Sequence, residues 1–120
     1  MVETNALKAR VCEEIDKRKD EIIEIASDIF AHPELGYKEF RTSKIVGDMF
    51  KKMGLTYEDN LAITGKKARV KGRDHKLNVC IMGELDSVLC PDHPHADPET
   101  GAAHSCGHNG QIASMLGTGF

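Results

Sequence analysis

Cys106 and His108 stand one residue apart with Gly107 between them. A thiolate and an imidazole are soft and borderline metal ligands, and the intervening glycine lets the backbone turn so that both can face one ion. The spacing reads as half of a metal site, since a divalent ion normally asks for four or more ligands. Cys90, His93, His95, His104, Cys106 and His108 all fall within nineteen positions. His93 and His95 read as members of a solvated loop. His104 and Asn109 flank the Cys-Gly-His stretch and read as substrate-proximal positions; for His104, a loop histidine that touches no substrate is an equal alternative. Glu84 and Asp86 add two carboxylates upstream.

The elements that must position these residues follow from apolar spacing. Leu7, Val11, Ile15, Ile22, Ile25, Ala26, Ile29 and Phe30 recur every three or four residues, which predicts one long amphipathic helix from Thr4 to Ala31. His32-Pro33 ends it, because a residue before proline is pushed out of the helical region, and Glu34-Leu35-Gly36 makes a turn. A second helix from about Lys38 to Met53 is expected to bury Phe40, Ile45, Val46, Met49, Phe50 and Met53, with Gly54 stopping it in a left-handed conformation. The period then changes. Leu55 to Glu58, Ala62 to Lys71 and Leu77 to Leu85 read as strands, the middle one with Gly65 and two lysines that suggest an edge or a bulge.

Leu77 to Gly83 is almost continuously apolar, as in a strand covered on both faces, and is expected to be the central strand. Glu84 and Asp86 lie at its carboxyl end, where ligands bind in open α/β sheets. From Ser87 to Gly107 the chain reads as an active-site loop with three prolines. A last helix starts near His108 or Asn109 and buries Ile112, Ala113, Leu116 and Met115.

With 120 residues the chain fits one domain able to bury roughly 65% of its unfolded surface. Sixteen basic residues dispersed among nineteen acidic ones, for a net charge of −3, leave no basic face for nucleic acid. Met1 to Asp20 has no signal-like apolar run and no segment approaches the ~18 apolar residues of a membrane span, so neither a membrane partner nor secretion is expected. The reading is cytoplasmic, with thiols in place of a disulfide framework. Cys12 and Cys80 are expected to be small buried apolar residues.

Several motifs together resemble the metal-dependent amidohydrolases and exopeptidases that include aminoacylases, hippurate hydrolases, indoleacetyl-amino-acid hydrolases and aminobenzoyl-glutamate hydrolases. They are His32-Pro33-Glu34-Leu35-Gly36, Glu39 and Thr42, Thr64-Gly65, Gly83-Glu84-Leu85-Asp86-Ser87-Val88-Leu89, and Gly101 leading to His104-Ser105-Cys106-Gly107-His108-Asn109. The resemblance implies an α/β fold: the N-terminal part of a zinc-exopeptidase-like catalytic domain spanning 1–120, with two helices, a small mixed sheet and a further helix. It implies metal-dependent hydrolysis of the amide bond in an N-acyl amino acid or short peptide, at two divalent ions that are usually manganese or zinc, with cobalt or nickel as alternatives. Cys106 would bridge the ions, His108 would bind one, and Asp86 would support the ligands. Complete relatives are often homo-oligomeric.

This chain also departs from the pattern. Glu84 stands where the family has a basic residue or histidine, and Asn109 and Gln111 stand where many relatives have Asp and His, which points to a subgroup with a different substrate. The family's glutamate pair, later ligand histidines and lid domain have no counterpart in these residues. The chain alone is therefore expected to be inactive and to bind metal weakly. Two alternatives are a non-catalytic zinc or thiol module closed by Cys90, His93, Cys106 and His108, and a truncated product that associates with a partner.

Overall fold

The computed structural model describes residues 4–74 and 76–120. Its elements are α1 (Thr4–Lys17), α2 (Lys19–Ala31), α3 (Phe40–Lys52), β1 (Tyr57–Leu61), β2 (Gly65–Ala68), β3 (Val88–Leu89), β4 (Ala102–Ala103) and α4 (His108–Gly117). The core is helical. Ile25 and Ile29 of α2, Val46 and Met49 of α3, and Ile112 and Leu116 of α4 form one buried cluster, with Ile45, Phe50, Met53, Leu85, Met115 and Phe120 against it. Burying each of the largest of these side chains contributes about 1.5–3 kcal/mol.

The expected first helix is two helices. At Arg18 the backbone leaves helical geometry (φ −109°, ψ 7°), its N–H reaches the Ile15 carbonyl three residues back at 3.0 Å, and its guanidinium lies 4.8 Å from the centre of the Phe120 ring. The apolar stripe continues through the break but its burial does not. α2 packs on α4, whereas no residue of α1 is buried, and Leu7, Val11 and Ile15 stay exposed because nothing among the described residues covers that face. Cys12 is exposed for the same reason, against expectation.

α3 follows the expected span with Phe40 as its exception: this residue is 63% exposed, at the helix start beyond the edge of the core. Gly54 does end the helix with a positive φ of 72°. An ion pair ties α3 to α2, with Arg41 Nη2 donating to both Asp28 carboxylate oxygens at 2.7 and 2.9 Å.

β1 and β2 form an antiparallel hairpin whose register slips between Glu58 and Leu61, the bulge that Gly65 suggested. A Cβ on Gly65 would lie 2.6 Å from the Leu61 carbonyl, so only glycine fits there. The hairpin docks on α3 through Phe50 and Tyr57, whose ring centres are 5.7 Å apart, and through Thr64, which donates to buried Glu39 and accepts from Ser43.

Among the described residues the mixed sheet is not formed. They make two separate two-stranded antiparallel sheets, β1–β2 and β3–β4, with an isolated parallel bridge between Leu35 and Ser87. Described residues of the segment 69–87 belong to no strand, and Leu77, Val79 and Met82 are 84%, 86% and 79% exposed. The expected central strand therefore has the composition of a doubly covered strand without the cover: a strand exists only where a neighbour takes its N–H and C=O groups, and no described residue does so here. Cys80 is exposed with it, again against expectation.

Candidate metal centre

Two local structures bring the candidate residues together. The β3–β4 pair sets Val88 against Ala103 and Leu89 against Ala102, so that Asp86 and Ser87, just before β3, come alongside His104 and Ser105, just after β4. The chain then turns through Gly107, which adopts a left-handed conformation (φ 81°, ψ 20°) at the N-cap of α4, and His108 is the first helical residue. The connection between β3 and β4 is folded rather than loose. The Cys90 N–H bonds to the Gly101 carbonyl at 2.8 Å, and Asp97 Oδ1 accepts the Thr100 N–H and hydroxyl at 2.7 and 2.8 Å. Those bonds hold the Asp97 carboxyl below the usual carboxylate range.

The half-buried His108 ring is fixed from both sides. Its Nδ1 lies 2.8 Å from the Asp86 carbonyl and 3.2 Å from Asp86 Oδ1, and its Nε2 lies 3.0 Å from Glu84 Oε2. A carbonyl can only accept, so Nδ1 carries the hydrogen and Nε2 is the nitrogen left to receive a proton or a cation. Cys106, two residues earlier, is exposed. Asp86 thus contacts the His108 ring through both its carbonyl and its carboxylate.

His104 is 5% exposed, and neither ring nitrogen has a hydrogen-bond partner among the described residues. Burial pushes its pKa below the ordinary histidine value and the neighbouring His108 adds to the shift, while Asp86, the Ile29 carbonyl and Glu34 oppose it. The lowered pKa favours the neutral ring. Asn109 is anchored: its side-chain amide donates to the Ala26 carbonyl of α2 at 3.1 Å.

His93 and His95 pack around Phe30, with ring centres 6.5 and 5.2 Å from it. Among the described residues no three His, Cys, Asp or Glu side chains converge to hold a metal ion, so the closed zinc site of Cys90, His93, Cys106 and His108 is not assembled. What is assembled is the His108 ring held between Asp86 and Glu84.

Three residues that the sequence singled out without assigning them these contacts also matter here. Glu34 caps α3 from outside the helix: its carboxylate accepts the N–H groups of Arg41 and Thr42 at 2.9 and 2.7 Å and the Thr42 hydroxyl at 2.9 Å. Its carbonyl accepts the N–H and hydroxyl of Ser87 at 2.7 and 2.8 Å, which fastens the residue after Asp86. Glu84 and Gln111 are bonded to each other, the Glu84 N–H donating to Gln111 Oε1 at 2.6 Å. Each of these contacts joins residues far apart in sequence except those of Glu34 to α3, for which the motif Pro33-Glu34-Leu35-Gly36 before a helix was the available signal.

The chain is 29% identical over 113 residues to thermostable carboxypeptidase 2 of Saccharolobus solfataricus, a match covering 89% of this chain and 28% of that protein. It is 33% identical over 101 residues to IAA-amino acid hydrolase ILR1-like 4 of Arabidopsis thaliana, covering 82% and 23%. The chain is a relative of amidohydrolases and carboxypeptidases. An N-acyl-L-amino acid amidohydrolase of Geobacillus stearothermophilus matches at 28% over 107 residues, covering 87% and 29%. The chain spans less than a third of the length of these curated relatives. No protein-family model matches it, and no solved structure does. The four helices and two small antiparallel sheets make an α/β unit consistent with part of a peptidase-like domain. None of the helices among the described residues is long and apolar enough to cross a membrane.

Proposed function

We propose that this chain supplies the Cys106 and His108 portion of a metal-dependent hydrolase centre that cleaves the amide bond of an N-acyl amino acid or short peptide. The observation that carries the reading is the state of His108. Its Nδ1–H is spent on the Asp86 carbonyl, which leaves Nε2, 3.0 Å from Glu84 Oε2, as the ring nitrogen able to take a cation at the start of α4, close in sequence to an exposed thiol. Metal-binding histidines characteristically donate their second ring nitrogen to a carbonyl or carboxylate in this way. The relatives, a carboxypeptidase, an IAA-amino acid hydrolase and an N-acyl-L-amino acid amidohydrolase, support the reaction class.

The donor set fits a divalent ion such as zinc or manganese, or cobalt or nickel. Cys106 and His108 would hold it, and a bound ion would supply carbonyl polarisation and a lowered pKa for water. The chain's own residues set the stage. Asp86 fixes the His108 ring with both its carbonyl and its carboxylate, and Gly107 allows the turn between the ligands. Two donors hold an ion weakly, so the further ligands and the general base come from residues other than these.

Titration of the chain with Co²⁺, followed by the thiolate-to-cobalt absorption band, tests the assignment. Weak binding should be lost in Cys106→Ser and retained in Cys90→Ser. Binding that survives Cys106→Ser, or that needs Cys90, would overturn it.

A further inference from the structure

Val79, Leu77 and Met82, at 86%, 84% and 79%, are the most exposed large apolar residues among those described, and Ile81 beside them is 53% exposed. The backbone of this run is as bare as its side chains. No N–H or C=O of residues 77–83 has a hydrogen-bond partner among the described residues, and bonding resumes only at the Glu84 N–H. An apolar run with unpaired backbone groups is a template on which another strand can add.

The run is anchored at its carboxyl end, where a strand's alternation is already visible. Leu85 packs against the core cluster and a Cβ on Gly83 would lie 2.8 Å from Ile112 Cδ1, so positions 83 and 85 face α4, while Met82 beside them is left exposed. Continued backward, the same period puts Val79 and Ile81 on the side of Gly83. Charge then says which partner fits. Arg69, Lys71, Arg73 and Lys76, all exposed, precede the run with one acid, Asp74, among them, and Glu84 and Asp86 follow it. The two ends are of opposite sign. A second copy laid antiparallel sets the basic end of each run on the acidic end of the other, whereas a parallel copy would set like on like.

From this pattern we infer that residues 76–84 are the contact of a symmetric dimer, in which the run pairs antiparallel with that of a second copy about a two-fold axis at Cys80. About this axis Lys76 faces Glu84, Leu77 faces Gly83, Val79 faces Ile81, and Cys80 faces its own counterpart. The register keeps Leu77, Val79 and Ile81 of both chains on one face of the ribbon, the face that continues into each core; a one-residue slip in pairing would divide them between the two faces. Such an isologous contact closes on itself and stops at two chains.

Sedimentation velocity of the 120-residue chain over a concentration series with chelator present, joined to hydrogen exchange, tests the inference. A dimer should form, and exchange at residues 77–82 should slow by roughly tenfold or more within it. Val79→Asp alters a position that touches little in the single chain, so it should keep the wild-type circular dichroism and stay monomeric. Either charge reversal, Lys76→Glu or Glu84→Lys, should weaken self-association by roughly tenfold, because symmetry counts each charge pair twice. An equimolar mixture of the two should regain it, since both pairs in the mixed dimer are then of opposite sign. In a chain keeping Cys80 alone (Cys12→Ser, Cys90→Ser and Cys106→Ser), diamide should link the dimer through Cys80, because opposed Cα atoms lie about 4.5–5.5 Å apart, within disulfide reach. A monomer at every concentration overturns the inference, as does a dimer that survives Val79→Asp or a mixture that does not regain association. Should residues 77–82 of a monomeric chain gain protection only on adding the unmatched part of thermostable carboxypeptidase 2, the run belongs to the body of a longer enzyme and the second copy is refuted.

Discussion

Glu34→Gln is the substitution with the widest consequences for how the site is held. The carboxylate accepts three hydrogen bonds at the start of α3, from the Arg41 N–H, the Thr42 N–H and the Thr42 hydroxyl. Glutamine keeps one acceptor oxygen and turns the other into a donor. Its better orientation puts the oxygen on Thr42, saving two bonds, and leaves the NH₂ facing the Arg41 N–H. An N–H left without a partner costs about 1–3 kcal/mol when buried, and the group is only partly so, which puts the loss near the lower end. Removing the negative charge from the helix N-terminus adds about 0.3–1 kcal/mol. The sum is about 2 kcal/mol of folding stability.

With an m-value of about 1–3 kcal/mol/M, that loss lowers the urea midpoint by about 1 M, read by circular dichroism with the slope unchanged. Thr42→Val removes the hydroxyl bond and should cost nearly as much in the Glu34→Gln background as alone, because the glutamine oxygen keeps that bond. Glu34 also carries Ser87 on its carbonyl, so the loosened turn should reach the segment bearing Asp86. A midpoint shift under about 0.3 M would mean that water serves these N–H groups as well as Glu34 does, and the capping argument would be wrong.

Two further outcomes follow from the site itself. His104 is held neutral in the fold by burial, and its pKa lies below the unfolded value of about 6.5. The unfolded chain then takes up a proton that the folded chain refuses, so this contribution is intact above about pH 6.5 and is lost as pH falls through the lower folded pKa. Urea midpoints measured with chelator present at pH 7.5 and about pH 5.5 should converge in His104→Gln relative to the wild type; an unchanged difference would show that His104 is not the titrating group. Gly107→Ala should destabilise by about 1–2 kcal/mol from backbone strain alone, since a Cβ there would meet nothing within 4 Å. A loss near zero in thermal unfolding would mean that the left-handed turn between the two ligands is not maintained.

The helical part of the fold was legible because its signals are local. His32-Pro33 places the end of α2 and apolar spacing with Gly54 places α3 within a few residues, while the break at Arg18 that divides the expected first helix carries no such signal; the start of α4 at His108 follows from the glycine before it. Burial is different, because it depends on what lies opposite. Leu7, Val11 and Ile15 carry the same signal as Ile25 and Ile29, yet only the second group meets α4. Leu77 to Met82 has the composition of a central strand, and composition states what a segment can tolerate on its two faces without stating whether neighbours are present. In the site, Cys106 and His108 were visible as neighbours in sequence. The contacts that hold them were not, because Glu84 meets Gln111 across 27 positions and Glu34 meets Ser87 across 53.

Asn109 carries the same lesson to its physical end. The resemblance leads to an aspartate at this position, and an ionised aspartate only accepts hydrogen bonds. Here the side chain donates to the Ala26 carbonyl, a bond that an ionised carboxylate could not make. The change from acid to amide therefore converts a group able to face a ligand or a histidine into a strut between α4 and α2. Glu84 and Gln111 trade in the opposite direction, since a carboxylate replaces a basic residue or histidine beside the open nitrogen of His108 and a glutamine arises where it can hold that carboxylate. One acid is lost from the start of α4 and another gained across from it. The negative charge beside His108 is thus moved rather than removed, toward the exposed side of the ring.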